Sequence, residues 1–238
     1  MENIAPEIVS KILGNLDAPL APYSTISRNW QHHVEARTMA RIHVRSDDAS
    51  QLDMVFENSR RRALVKVLNY EIILPTYNHL RYCKLPGRRE CLKNNITFTR
   101  EIRHLFTKLH VYDKESDTTT FCLELGVSCP MDTYSPTLQQ GATAGTGRDR
   151  NKNTYIYLDP AEQEQLPVLT KVIGLNQQWG GRNLHSTILG LILRSLPAVE
   201  EIEWDFFGPD VRLLDLRRDL RTCRSSNFFG SIGLVGLT

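Results

Sequence analysis

No stretch of this sequence stays apolar for the roughly 18 to 20 residues that crossing a bilayer requires. Its first residues, Met1, Glu2 and Asn3, lack the basic-then-apolar order of a secretory leader. The expectation is a soluble intracellular protein, cytoplasmic or nuclear, with no membrane partner. Cysteine is scarce: five residues (Cys83, Cys91, Cys122, Cys129, Cys223), odd in number and with no Cys-x-x-Cys pair. That usage fits reduced thiols and argues against a disulfide framework or a zinc site. An excess of one charge is also missing, since 29 Lys+Arg against 27 Asp+Glu leaves +2. So small a balance gives no reason to expect a nucleic-acid partner. Asn95-Ile96-Thr97 matches a glycosylation sequon, which without a leader reads as a chance tripeptide.

What is present is an ordinary globular composition, 41% hydrophobic and 24% charged over 238 residues, enough for one sizeable core or two modest ones. Ile4, Ile8, Ile12, Leu13 and Leu16 recur at three- and four-residue spacings, which predicts a helix, with Pro6 and Glu7 suited to its first turn. Asp17-Ala18-Pro19 ends it. A short second helix from about Leu20 to Tyr23 and a third from about Ser24 to Arg37 follow, the third carrying Ile26, Trp30 and Val34 on one side. Three short helices bury little surface by themselves, so the exposed remainder needs a partner.

Beyond residue 39 the texture alternates between strand-like and helix-like runs. Candidate strands are Ala40 to Val44, Val65 to Leu74, Thr119 to Val127, Thr154 to Leu158, Thr170 to Leu175 and Glu200 to Phe206. Candidate helices are Ala49 to Ser59, Glu90 to Lys108 and Leu184 to Leu196. Strands separated by helix-length segments predict parallel pairing through right-handed crossovers. The Thr-, Gly- and Gln-rich stretch of about 130–153 reads as a flexible loop. From Arg224 onward the chain turns small and apolar, and 224–238 reads as a ragged tail left by truncation or an altered reading frame.

The order Pro6-Glu7-Ile8, Ile12-Leu13-Gly14-Asn15-Leu16, Leu20 and Ile26-Ser27-Arg28-Asn29-Trp30 resembles the F-box pattern of Leu-Pro-x-Glu-Ile, Ile-Leu-x-x-Leu, a Leu, and Val-(Cys/Ser)-Arg-x-Trp. Ile4-Ala5 stands where the family has Leu-Pro, which implies weaker adaptor binding. The resemblance implies an F-box over 1–38 that docks on the Skp adaptor, and through it on a cullin, by Ile4, Pro6, Ile8, Ile12, Leu13, Leu16, Leu20, Ile26 and Trp30. Trp30 or the leucines would then be its hot spots. More faintly, Arg37 to Val44 followed by Arg60 to Pro75 is similar in style to filamentous-fungal F-box proteins, and over 39–223 the strand and helix runs resemble irregular leucine-rich repeats, most clearly the Leu184 to Trp204 unit of apolar helix, Pro stop and strand. The implied fold is α/β (α+β), a three-helix F-box followed by an irregular strand/helix solenoid. The implied role is a non-enzymatic substrate-recognition adaptor of a ubiquitin ligase, with an unknown protein target and no cofactor. A repeat scaffold whose F-box-like helices only cap the solenoid is the competing reading.

An enzyme would need a constellation that the sequence does not supply. Gly141 to Gly147 lacks the Gly-Lys-(Ser/Thr) ending of a phosphate loop. His32 and His33 are adjacent and point apart on a helix, which is poor metal-ligand geometry. Arg60-Arg61-Arg62 reads as a solvated helix end. Alternation along the last strand places Glu201, Glu203 and Asp205 on one exposed side, opposite Ile202, Trp204 and Phe206, where they could take a basic segment of a substrate.

Overall fold

The computed structural model describes residues 4–16, 19–48, 50–78, 85–115, 119–132, 155–158, 165–177 and 182–204. Pro6 opens the first helix, α1 (Pro6–Gly14), where its missing N–H costs no intrahelical bond, and Glu7 faces the positive end of the helix dipole. The short second helix is a 3-10 turn over Ala21–Thr25. Helix α2 (Arg28–Thr38) starts later than apolar spacing predicts because Ser27 caps it, its hydroxyl accepting the Trp30 N–H at 3.4 Å. Val9, Leu13, Trp30 and Val34 meet in a small core of their own, with Ile4, Leu16, Leu20 and Tyr23 packed around it.

Met39-Ala40 leads directly from α2 into a mixed α/β region built on a five-stranded parallel sheet. Its strands are β1 (Arg41–Arg45), β2 (Val67–Ile73), β3 (Phe121–Ser128), β5 (Val172–Gln177) and β7 (Glu201–Glu203). Their order in space is their order in the chain, and every pair is parallel, as the alternation of strand and helix predicts. The candidate strand at 154–158 does not join them. It forms β4 (Tyr155–Ile156), which pairs with β6 (Asn183–Leu184) in a separate two-stranded sheet. For the same reason the helix expected from Leu184 begins two residues later.

The crossovers carry α3 (Ser50–Phe56) and α4 (Ser59–Arg62), then α5 (Arg88–Asp113), and before β7 α6 (Ser186–Arg194). Helix α5 outruns its predicted bounds because it presents Phe98, Ile102, Leu105, Phe106 and Leu109 to the core at unbroken helical spacing. They meet Leu68, Tyr70 and Ile72 of β2, Leu123 and Leu125 of β3, and Val172 and Leu175 of β5. The apolar sides of α3 and α6 enter the same cluster. Burial, with Glu101 nearby, drives the Tyr70 phenol far above its ordinary pKa, so it stays a neutral core group.

One arginine departs from its sequence reading. Arg62 is not a solvated helix end: it is buried, donates to the Phe56 carbonyl at 2.6 Å, pairs with Glu115 and lies 5.6 Å over the Tyr112 ring. The loop expected from residue 130 is ordered at its start, where Asp132 accepts a bidentate pair from buried Arg182 at 2.8 Å for each bond. The Tyr77 hydroxyl donates to the same carboxylate at 3.2 Å. Residues 133–154 and the 224–238 tail lie outside the described residues.

Candidate interaction surfaces

The nine positions matched to the F-box pattern divide into two groups. Leu13 and Trp30 are buried in the small core, and Ile4, Leu16 and Leu20 pack against it. Pro6, Ile8, Ile12 and Ile26 face outward, the three isoleucines at 53%, 39% and 44% exposure. Helix α1 therefore uses two apolar pairs, each spaced by four residues: Val9 and Leu13 inward, Ile8 and Ile12 outward. Spacing alone does not separate these pairs, because each recurs at the same interval and their neighbours are adjacent in sequence. Val9 is the core residue that the motif match missed.

Around this core the polar contacts are few. Trp30 stacks on Tyr23 with ring centroids 6.2 Å apart, and its indole N–H is buried without an acceptor. Ser10 and His33 meet at 3.2 Å and join α1 to α2. His32 and His33 lie edge to face rather than converging on a common point. Among the described residues no group of three His, Cys, Asp or Glu side chains is placed to hold a metal ion.

The second surface is the side of the sheet that faces away from α3, α5 and α6. Register lines up His43, Asn69, Glu124, Asn176 and Glu203 across the five strands, one residue from each. The adjacent row of opposite parity, Ile42, Leu68, Leu123, Leu175 and Ile202, belongs to or packs on the core. An all-parallel sheet is ordinarily apolar on both faces. This one is apolar on the helix side and polar on the other.

Charges on the polar face are partly matched. Arg41 reaches across β2 to Glu124, with its two N–H···O contacts at 2.8 and 2.9 Å, and His43 meets Glu71 at 3.1 Å. Glu201 and Glu203 are exposed, as expected, while Asp205 and Phe206 lie outside the described residues. Across the strand gap these glutamates face Gly174 and Asn176, neither of which is a cation. At Gly174 the sheet is tight: a Cβ there would stand 2.6 Å from the Cys122 sulfur. Burial first, then Glu201 and Glu124, push the Cys122 thiol above its ordinary pKa, so it is a poor nucleophile.

Among the described residues, neither surface assembles a nucleophile, base and orienting group within reach of one another. Cys91 and Cys122 are free thiols, and the buried Cys129 thiol donates to the Pro75 carbonyl at 3.4 Å. Among the described residues no helix is long and apolar enough to cross a membrane. Compared with protein-family models, curated proteins and solved structures, the chain matches none.

Proposed function

We propose that this chain is a substrate-recognition adaptor of a Skp/cullin/F-box ubiquitin ligase. Its N-terminal helices hold the Skp adaptor, and the strand/helix region, an irregular leucine-rich-repeat-like solenoid, receives a protein target. The observation that carries the first half is the outward isoleucine pair of α1, Ile8 and Ile12, beside a core already completed by Val9 and Leu13. Half-exposed isoleucines contribute roughly 1 kcal/mol each when a partner buries them. A helix presenting such a stripe fits a groove between partner helices. In this reading the chain makes and breaks no bonds. It raises the effective concentration of target lysines near a ubiquitin carrier held by its partners.

The test is a pull-down of purified Skp adaptor by the full chain, comparing the native protein with Ile8→Ser plus Ile12→Ser. Leu13 and Trp30 are unsuitable probes because they hold the helices together. The expected result is capture by the native chain and loss of capture by the variant, with unchanged circular dichroism. No capture by a folded native chain would sink the adaptor reading. A second reading, in which the helices only cap the solenoid, draws on their close tie to the sheet region: α2 enters β1 without a linker, and Glu35 pairs with Arg60 at 3.1 Å. That reading predicts that the double serine variant changes neither binding nor stability.

A further inference from the structure

The outer face of α5 is apolar at its centre and charged in one sign around it. Arg89, Leu92, Lys93, Ile96 and Arg100 follow one another at helical intervals that set them on one side of the helix, and all five are exposed. The opposite side is committed to the core through Phe98, Ile102 and Leu105. Leu92 and Ile96, one turn apart, keep 53% and 43% of their surface in water. Tyr157, also exposed, is held beside them where the Asn95 side chain accepts its N–H at 3.1 Å.

The charge on this face is unmatched. Among the described residues Arg88, Arg89 and Lys93 meet no carboxylate. Arg100 does, donating to Glu101 at 2.7 and 2.9 Å. Glu101 itself is buried, and Glu90, the other acid in this half of the helix, is turned about 100° away from Arg89. Arg88 and Arg89 also stand in the first turn, at the positive end of the helix dipole, where a cation is disfavoured and an anion favoured. A chain whose formal charge is only +2 thus gathers uncompensated cations around an exposed aliphatic pair.

The two features together select an occupant. Nucleic acid would match the cations but leave both aliphatic side chains unmatched, and the Tyr157 ring at the border already stacks on His185. An anionic bilayer requires a broad apolar face to enter it, and α5 turns its broad face inward. A second copy of the same face would set like charge against like. A helix laid along α5 satisfies both features: its apolar seam covers Leu92 and Ile96 while carboxylates on its flanks meet Arg89 and Lys93.

We infer that the outer face of α5 docks an acidic amphipathic helix of a protein partner, through Leu92 and Ile96 at its centre and Arg89 and Lys93 beside them. The inference rests on the target-receptor half of the proposed function, for which it names the chemistry of the target segment, and does not depend on the adaptor half.

The experiment uses the full chain and a fluorescein-labelled helical peptide of Leu, Ala and Glu, its leucines at three- and four-residue spacing with glutamates beside them, read by anisotropy. The same peptide with Gln for every Glu is one counter-probe, and vesicles of anionic phospholipid are the other. Arg89→Gln plus Lys93→Gln should weaken the Glu peptide about tenfold, the loss expected from removing two exposed ion pairs. Leu92→Gln plus Ile96→Gln, which keeps good helix formers on the face, should weaken it by a similar factor, with unchanged circular dichroism. Lys66→Gln plus Arg194→Gln, which removes the same charge elsewhere, should weaken it less than about twofold. Carbodiimide cross-linking should join the peptide to Lys93. No binding of the Glu peptide, equal binding of the Gln peptide, equal losses in the two charge variants, cross-links scattered over other lysines, or binding to the vesicles in place of the peptide would each overturn the inference. The Arg89/Lys93 variant should still capture the Skp adaptor to the native extent. Failure of the native chain to capture the adaptor, with peptide binding intact, defeats the adaptor reading alone.

Discussion

The N-terminal helices and the parallel sheet treat their outward sides in opposite ways. In the helices, four side chains form the core while Ile8, Ile12 and Ile26 remain in water. In the sheet, β1 to β3 alternate, with Val44, Tyr70 and Leu125 in the core and His43, Asn69 and Glu124 outside. The first region carries surplus apolar surface and the second surplus polar surface. Apolar surplus favours a partner that brings its own apolar face, whereas polar surplus favours one that brings charge and hydrogen bonds. Size sharpens the contrast. A core of four buried side chains is marginal by itself, so the helices are the part of the molecule most easily melted.

The largest expected effect separates the two regions. Trp30→Ala removes the biggest side chain of the small core, and such truncations cost about 3 to 5 kcal/mol. Hydrogen exchange should report loss of protection in α1 and α2 while β2, β3 and α5 keep theirs. Equal loss throughout would mean that the regions fold as one unit.

A smaller effect works in the sheet. Gly174→Ala drives a methyl group into the Cys122 sulfur, at a cost of about 1 to 3 kcal/mol for overpacking. Adding Cys122→Ala removes the 2.6 Å contact, leaves the 3.3 Å one to its Cβ, and should restore most of the stability in urea melts. Adaptor capture should be indifferent to both. If the double variant is no more stable than Gly174→Ala alone, strand spacing rather than the sulfur sets the limit.

The smallest effect is a pH dependence confined to the sheet region. The His185 ring accepts the Thr187 N–H at 3.3 Å, capping α6, and stacks on Tyr157 at 4.4 Å. Burial lowers its pKa, so the folded chain favours the neutral ring. Its contribution is therefore whole above the unfolded value near 6.5 and declines as pH falls below it. His185→Asn keeps a cap that does not titrate. Melting temperatures followed from about pH 8 to about pH 5 should fall more for the native chain than for this variant. Parallel curves would assign the cap no role.

Much of this architecture is legible before folding. Alternation located every strand of the main sheet, and helical spacing located α1, α3, α5 and α6. What stayed hidden depends on residues far apart in sequence. Nothing around Arg62, the last of three arginines, marks it as the one that meets Glu115, fifty-three positions away. Asp132 sits in the stretch that reads as loop, with Arg182 fifty positions further on, and only folding brings them together. On α1, the choice between Ile8 and Val9 as the inward residue rests on where α2 lands. The polar face was legible in part. Glu201 and Glu203 were placed outward by alternation, whereas the row that joins them to Asn69 and Glu124 required the register.

The order of the sheet also bears on how it is made. Each strand pairs with the one before it in the main sheet, so none waits for a partner synthesised much later. β1 and β2 can pair before β3 leaves the ribosome, and each new helix then closes over the pair it follows. Assembly from the N-terminus in this way keeps loop closures modest and, besides the fixed β1 edge, leaves only the newest strand's edge uncovered at any moment.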